Sequence, residues 1–330
     1  MIKYEIRNII PFNDVYYVNC VDISILTALR YFNGSVFDYI VNDNFVYKIS
    51  QTAKGLTLSL NKLGVKTSNE IFINNDINIE NEYDYGNEIV DIIINTLNNG
   101  GIAIIPIDGF FYNHPYHDLF YLKEHHNQVI LVYGYDCEKK VFNIIDVNGF
   151  AWDQNNFCYT HSIGFSNLIE CHKGAANFKT NTAAIWKLSK PNPGKIKTDD
   201  PCFYKNMLIK NMQLNKTEIL EGLKNISTIL ENIEQFDIDE TTAFNNKVAS
   251  ASNLYKIKNI LGNEYNNSYL LDEILNVWIV IQNLAIKNTL KKINKKKKFG
   301  PMLRELHKLE STLYEDLFSF FDRNILSTEL

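Results

Sequence analysis

From Val15 to Phe32 the chain passes from extended, aromatic-rich sequence to apolar positions at Val21, Ile25, Leu29 and Phe32, spaced by threes and fours. That period predicts a helix opening at Cys20, with Gly34 as its stop. The next apolar set predicts a second helix from Gly55 or Leu56 to Leu63, ended by Gly64. Residues 74–85, rich in Asn, Asp and Glu, read as a loop, and 87–98 as an amphipathic helix stopped by Gly100 and Gly101. Runs rich in β-branched residues follow at 102–107, 129–135, 141–147, 157–163 and 183–188, with a turn from Asp136 to Lys140. They predict an antiparallel sheet, so this half is α+β, with its first helix packed on the sheet.

The stretch SKPNPGKIKTDDP, Ser189 to Pro201, concentrates Pro, Gly and charge as a linker does. Beyond it, 203–235, 241–262, 267–294 and 301–325 carry helical periodicity, broken at Phe299, Gly300 and Pro301. The expected organisation is an α+β domain over 1–190, a linker over 191–202 and an all-α helical bundle over 203–330. A length of 330 residues suits two cores.

Composition narrows the class. A hydrophobic share of 45% is that of a globular chain, and a net charge of −5 argues against a nucleic-acid partner. Neither a basic-then-apolar leader nor an uninterrupted apolar span is read, so a cytoplasmic protein without a membrane partner is expected. Five cysteines, an odd number scattered over the chain, are expected to be thiols. Six lysines within eight residues, Lys291, Lys292, Lys295, Lys296, Lys297 and Lys298, make a patch suited to an acidic partner. The oligomeric state is left open.

Two segments carry candidate chemistry. In NDVYYVNCVDISILTALRYFNG a cysteine opens an apolar helix, where the macrodipole and unsatisfied backbone N–H groups lower a thiol pKa and offer donors to an oxyanion. In HHNQVILVYGYDCEKKVFNIIDVNGFAW histidines precede a strand ending in Gly-Tyr, and a hairpin leads to Asp146. With the aromatic stretch FFYNHPYHDLFYLKEHH and the strand end ILVYGYD, these segments resemble the butirosin biosynthesis H (BtrH) N-terminal family of papain-fold acyltransferases, and amide synthetases of the closthioamide type.

The resemblance implies a papain-like cysteine protease fold, with Cys20 as nucleophile and Asp146 orienting the base. It implies an acyl-enzyme loaded from a thioester on an acyl or peptidyl carrier protein and discharged onto a small amine in antibiotic biosynthesis. No bound cofactor and no metal are expected, the substrate riding on the carrier's phosphopantetheine. The family's histidine position falls here on Gln128. Alternation along the strand puts His126 on the face of Gln128, about 7 Å further back, and His125 on the other face. His126 is the expected base, with His125, Gln128 and Asn19 as alternative base or polar support, and Lys295, Lys296, Lys297 and Lys298 as the carrier-docking patch. A thioester tolerates a weakened triad better than an amide, whose amine needs a positioned general acid to leave. A C39-like leader peptidase and a binding module without turnover are the competing readings.

Overall fold

The computed structural model describes residues 3–17, 19–83, 86, 88–113, 120–147, 157–178, 184–191, 200–291 and 298–326. The chain is a mixed α+β protein, 53% helical and 23% strand. In chain order its elements are β1 (Lys3–Glu5), α1 (Cys20–Tyr31), α2 (Val36–Ile40), β2 (Asp43–Thr52), β3 (Gly55–Gly64), α3 (Ser68–Asn74), β4 (Asn78–Glu82) and α4 (Ile89–Asn98). Then come β5 (Ile102–Asp108), β6 (Asn127–Asp136), β7 (Val141–Val147), β8 (Cys158–Gly164), α5 (Phe165–Ala175) and β9 (Ile185–Ser189). The last five helices are α6 (Pro201–Leu214), α7 (Lys216–Glu231), α8 (Glu240–Leu261), α9 (Tyr269–Lys291) and α10 (Phe299–Leu326).

Two compact units emerge: Met1–Val36 with Thr67–Thr198, and Phe37–Lys66 with Asp199–Leu330. The last of the three junctions falls in the expected linker, whose residues 192–199 lie outside the described ones. The excursion of Phe37–Lys66 is a departure from the single domain expected over 1–190. It has a cause in the sequence. Leu56, Leu58 and Leu60 alternate with Thr57, Ser59 and Asn61, a period of two, so the segment expected to be a helix is β3, paired antiparallel with β2 from Thr52–Gly55 to Asp43–Gly64. Gly55 turns the hairpin at φ +141°, where a Cβ would meet Gln235 O at 2.0 Å.

The first unit holds a seven-stranded antiparallel sheet in the order β4-β9-β5-β6-β7-β8, with β1 also pairing β6. Its core strands were legible as β-branched runs, and every residue of β5 is buried. β4 was not: its polar sequence reads as a loop, yet its backbone pairs with β9, and Glu80 lies opposite Lys187 at 3.0 Å, with Glu82 at 3.2 Å from the same ammonium. α1 packs against β6 and β7. Asn19 caps it, accepting the Asp22 N–H at 3.0 Å.

The second unit is not all helical, because the β2–β3 hairpin lies in its core among α7 and α8. Helix side chains close the hairpin's edges. Asn246 of α8 donates to Leu58 O at 2.8 Å and accepts from Leu60 N–H at 2.7 Å, and Asn225 of α7 donates to Tyr47 O at 2.8 Å. The run 203–235 divides at Asn215 into α6 and α7, and Pro301 stands in the first turn of α10, where its missing N–H costs nothing. α9 contains one stretch, Tyr269–Asn288, long and apolar enough to cross a membrane. Its Leu270, Leu271, Ile274, Trp278, Ile281 and Ala285 are buried in the unit's core.

That core also holds charge. Glu310 is 5% exposed, and burial pushes its carboxyl up to about 7 although the Tyr47 hydroxyl donates to it at 2.5 Å. Lys256 is 1% exposed, and burial pushes its ammonium down while its Nζ donates to Asp43 O at 2.5 Å. Because the folded carboxyl holds its proton more tightly than the unfolded one, Glu310's contribution to stability is whole below about pH 4.5 and is lost as pH rises through about 7. Glu310→Gln is expected to remove this loss. Urea titrations of wild type and variant should diverge by about 3 kcal/mol between pH 4.5 and 8, and parallel profiles would contradict it.

Candidate active site

Cys20 is the first residue of α1, and what surrounds it follows from the ladder of β6. On the β5 side β6 is paired out to Asn127, which lies opposite Asp108. On the β7 side the ladder stops earlier, at Leu131 opposite Ile145. Gly109 donates its N–H to His126 O at 2.7 Å, which sets the phase of the β5–β6 bonds. Three residues back, Val129 lies opposite Pro106 with its N–H directed away from β5. That amide, freed where β6 and β7 part, donates to the Cys20 thiol. Asp146 is the next residue of β7 beyond the last β6 pair, so it flanks the same opening.

The thiol is not acidic. Burial pushes Cys20 up to about 11, the Val129 N–H and its own N–H pull it down, and the carboxylates of Asp146 and Asp22 push it up again. This reverses the lowering expected of a helix N-terminus: the amide donors are present, but desolvation with two carboxylates outweighs them, and among the described residues no imidazole is one of the leading groups acting on the sulfur. Tyr16 lies in the same field, its hydroxyl held protonated by burial first and then by Cys20, Cys158 and Asp146.

Asp146 is 1% exposed and belongs to a different chain of bonds from the one expected. The Tyr112 hydroxyl donates to its Oδ2 at 2.9 Å and stands 2.6 Å from His161 Nε2. A phenol has one proton, so His161 Nε2 must donate to Tyr112, giving a directional relay from the half-buried His161 to the buried carboxylate. His161 comes to this place because it lies opposite Ile144 on β8, two residues along β7 from Asp146. Neither Tyr112 nor His161 stands out in the sequence for this role: the β7–β8 register puts His161 near Asp146, and Tyr112, which follows β5, bridges them.

The two expected bases hold other partners. His126 stacks on Phe120, 3.9 Å between centroids and 6° between planes, its N–H donates to Asp108 Oδ1 at 3.2 Å, and burial lowers its pKa. His125 does pair with a carboxylate, but with Asp108: its Nδ1 stands 2.6 Å from Oδ2. These partners are not those of the expected Cys20–His126–Asp146 triad. Gln128, where the resemblance would put a histidine, is buried at 8% exposure with its Oε1 lacking a hydrogen-bond partner. Asn19 serves as helix cap. Of the lysine patch, Lys298 is exposed just before α10; Lys295, Lys296 and Lys297 lie outside the described residues, as does Tyr116 of the aromatic stretch.

Among the described residues no three His, Cys, Asp or Glu side chains gather as a metal would require, and all five cysteines are free thiols. No protein-family model matches the chain, and no curated protein matches it.

Two outcomes follow from this geometry. Alkylation of Cys20 by iodoacetamide, followed by peptide mass, is expected to climb about tenfold per pH unit from pH 7 to 10. A plateau at or below pH 8.5 would mean that the helix start dominates after all. Tyr112→Phe strips a donor from the buried Asp146 and is expected to cost about 1–3 kcal/mol in urea unfolding; an unchanged midpoint would show that the relay carries no load.

Proposed function

We propose that the sheet-bearing unit is a papain-like acyl-transfer domain in which Cys20 takes an acyl group from a carrier-protein thioester and passes it to an amine, forming an amide as natural-product assembly requires. The observation that supports this reading most is Cys20 itself, standing first on α1 with the Val129 N–H aimed at its sulfur. A backbone donor there can hold the sulfur as it loses its proton, and Cys20's own N–H at the helix start suits a developing oxyanion.

The weakly acidic thiol selects among acyl donors. At pH 7 only about one molecule in ten thousand carries a thiolate at a pKa of about 11. That thiolate is intrinsically a stronger nucleophile than a more acidic one, and against a thioester it expels a good leaving group. Against an amide it would need an acid placed on the departing nitrogen, and among the described residues no imidazole is one of the leading groups acting on Cys20. Acyl transfer is therefore favoured over peptide cleavage. The exposed Lys298 and the lysines before it are the proposed docking patch for an acidic carrier protein, an attraction that salt would weaken.

The same high pKa favours one competing reading, a papain-like module that binds a metabolite or peptide without turnover. Intact mass separates the two. Wild type incubated with an acyl carrier thioester, or with the acyl thioester of N-acetylcysteamine, is expected to gain one acyl mass that maps to Cys20 and is absent from Cys20→Ala. Amide product formed at the wild-type rate by Cys20→Ala would end the acyl-enzyme reading, and undiminished ligand binding without any adduct would establish the binding module.

A further inference from the structure

A second proton-handling centre stands at the same end of the sheet. Asp108, the last residue of β5, is fully buried, and its carboxylate takes three donors: the Phe110 N–H at 3.0 Å and the His126 N–H at 3.2 Å on Oδ1, and His125 Nδ1 at 2.6 Å on Oδ2. The close approach of α5 helps to bury it. A Cβ on Gly174 would lie 2.7 Å from Asp108 Cβ and 2.8 Å from its Oδ2, so only glycine lets the helix come this near. His125 is the opposite in exposure, its side chain 58% accessible. Its ring lies stacked against Phe110, 4.4 Å between centroids and 18° between planes, with Phe111 edge-on at 6.0 Å.

The chemistry of this pair is fixed by its acceptor. A carboxylate oxygen can only accept, so Nδ1 carries a proton, and in the neutral ring Nε2 is then the nitrogen with the lone pair. The result is an imidazole held in one tautomer by a buried carboxylate, with its basic nitrogen on the ring edge away from that carboxylate. Its position matters as much. Asp108 lies opposite Asn127, two residues along β6 from Val129, whose N–H meets Cys20, a separation of about 7 Å along the strand. Between those two positions Gln128 presents a buried Oε1 without a partner, which seeks an N–H donor.

We infer that His125 is the general base for the amine acceptor, that Asp108 is the residue positioning it, and that Gln128 Oε1 accepts a hydrogen bond from the amine. This rests on the acyl-enzyme reading of Cys20. In the step, the neutral amine nitrogen bonds to the acyl carbon and the C–S bond to Cys20 breaks. The proton leaving nitrogen goes to His125 Nε2 and returns through solvent to the departing sulfur, so that an amide and a Cys20 thiol are formed from acyl-Cys20 and a primary amine. The acceptor is thus a primary amine presented as the free base, its N–H toward Gln128.

The two half-reactions are separable by mass. Wild type, His125→Gln, Asp108→Asn and Gln128→Leu would be loaded with the acyl thioester of N-acetylcysteamine, freed of excess reagent, and mixed with propylamine between pH 6 and 9. Loading of Cys20 is expected to be alike in all four. Discharge to the propylamide is expected to slow by about 100-fold or more in His125→Gln and less in Asp108→Asn, with the pH dependence of that step reduced to that of the amine's own ionisation. Gln128→Leu is expected to raise the amine concentration needed for half-maximal discharge. His125 is exposed, so His125→Gln should keep the wild-type near-ultraviolet circular dichroism, which makes its result decisive even where Asp108→Asn does not fold. Equal loading with equal discharge in His125→Gln overturns this inference alone; absence of any Cys20 adduct in wild type overturns the acyl-enzyme reading and this inference with it.

Discussion

The first unit depends on how β6 satisfies its backbone. It is bonded to β5 over its first half, to β7 and β1 over its second, and the two ladders do not end together. A strand buried among neighbours cannot leave amides unbonded without a cost of about 1–3 kcal/mol each. Where β7 departs, the Val129 N–H must find another acceptor, and the first residue of α1 supplies it in a thiol. The placement of Cys20 is thus a consequence of ladder phase as much as of helix capping. Pro106 obeys the same phase. It stands opposite Val129, where β5 needs no N–H toward β6, and its carbonyl turns instead to the buried His172, which donates from Nδ1 at 2.8 Å.

The same phase explains what could and could not be read from the sequence. The helix at Cys20, the amphipathic run ending at Gly100 and the strands β5 to β9 were legible because each carries its own period of apolar residues. β4 and the β2–β3 hairpin were not. The first is made a strand by pairing with β9, against its polar composition. The second has apolar residues at Leu56, Leu58, Leu60 and Leu63, a spacing that serves a short helix nearly as well as a strand until the intervening Thr, Ser and Asn are counted. The hairpin's membership of the helical unit had no local signal at all, since it is fixed by Asn225 and Asn246, far along the chain.

The candidate site divides along the same line. Cys20 could be found because a cysteine at a helix start is a local pattern. The histidines could be found as residue types but not assigned, because what a histidine does depends on the carboxylate it meets. Asp108 reads in the sequence only as the end of an apolar strand, yet it takes His125. Asp146, the expected partner, is taken instead by Tyr112, and through it by His161. These exchanges are decided by cross-strand neighbours, Asp108 with Asn127 and Ile144 with His161, which no spacing along one strand reveals.

Placing the basic imidazole on Asp108 rather than beside the thiol has a physical consequence for selectivity. An imidazole in contact with Cys20 would exchange its proton with the sulfur and hold a standing thiolate-imidazolium pair, reactive toward water-borne electrophiles and able to protonate an amine leaving group. Desolvation with Asp146 and Asp22 favours the thiol over the thiolate at Cys20, which works against such a pair. In the reaction proposed above, the exposed His125 takes a proton from the incoming nucleophile rather than giving one to a departing amine. On that proposal, separating nucleophile from base favours making amides over cutting them, because cleavage needs an acid on the departing amine.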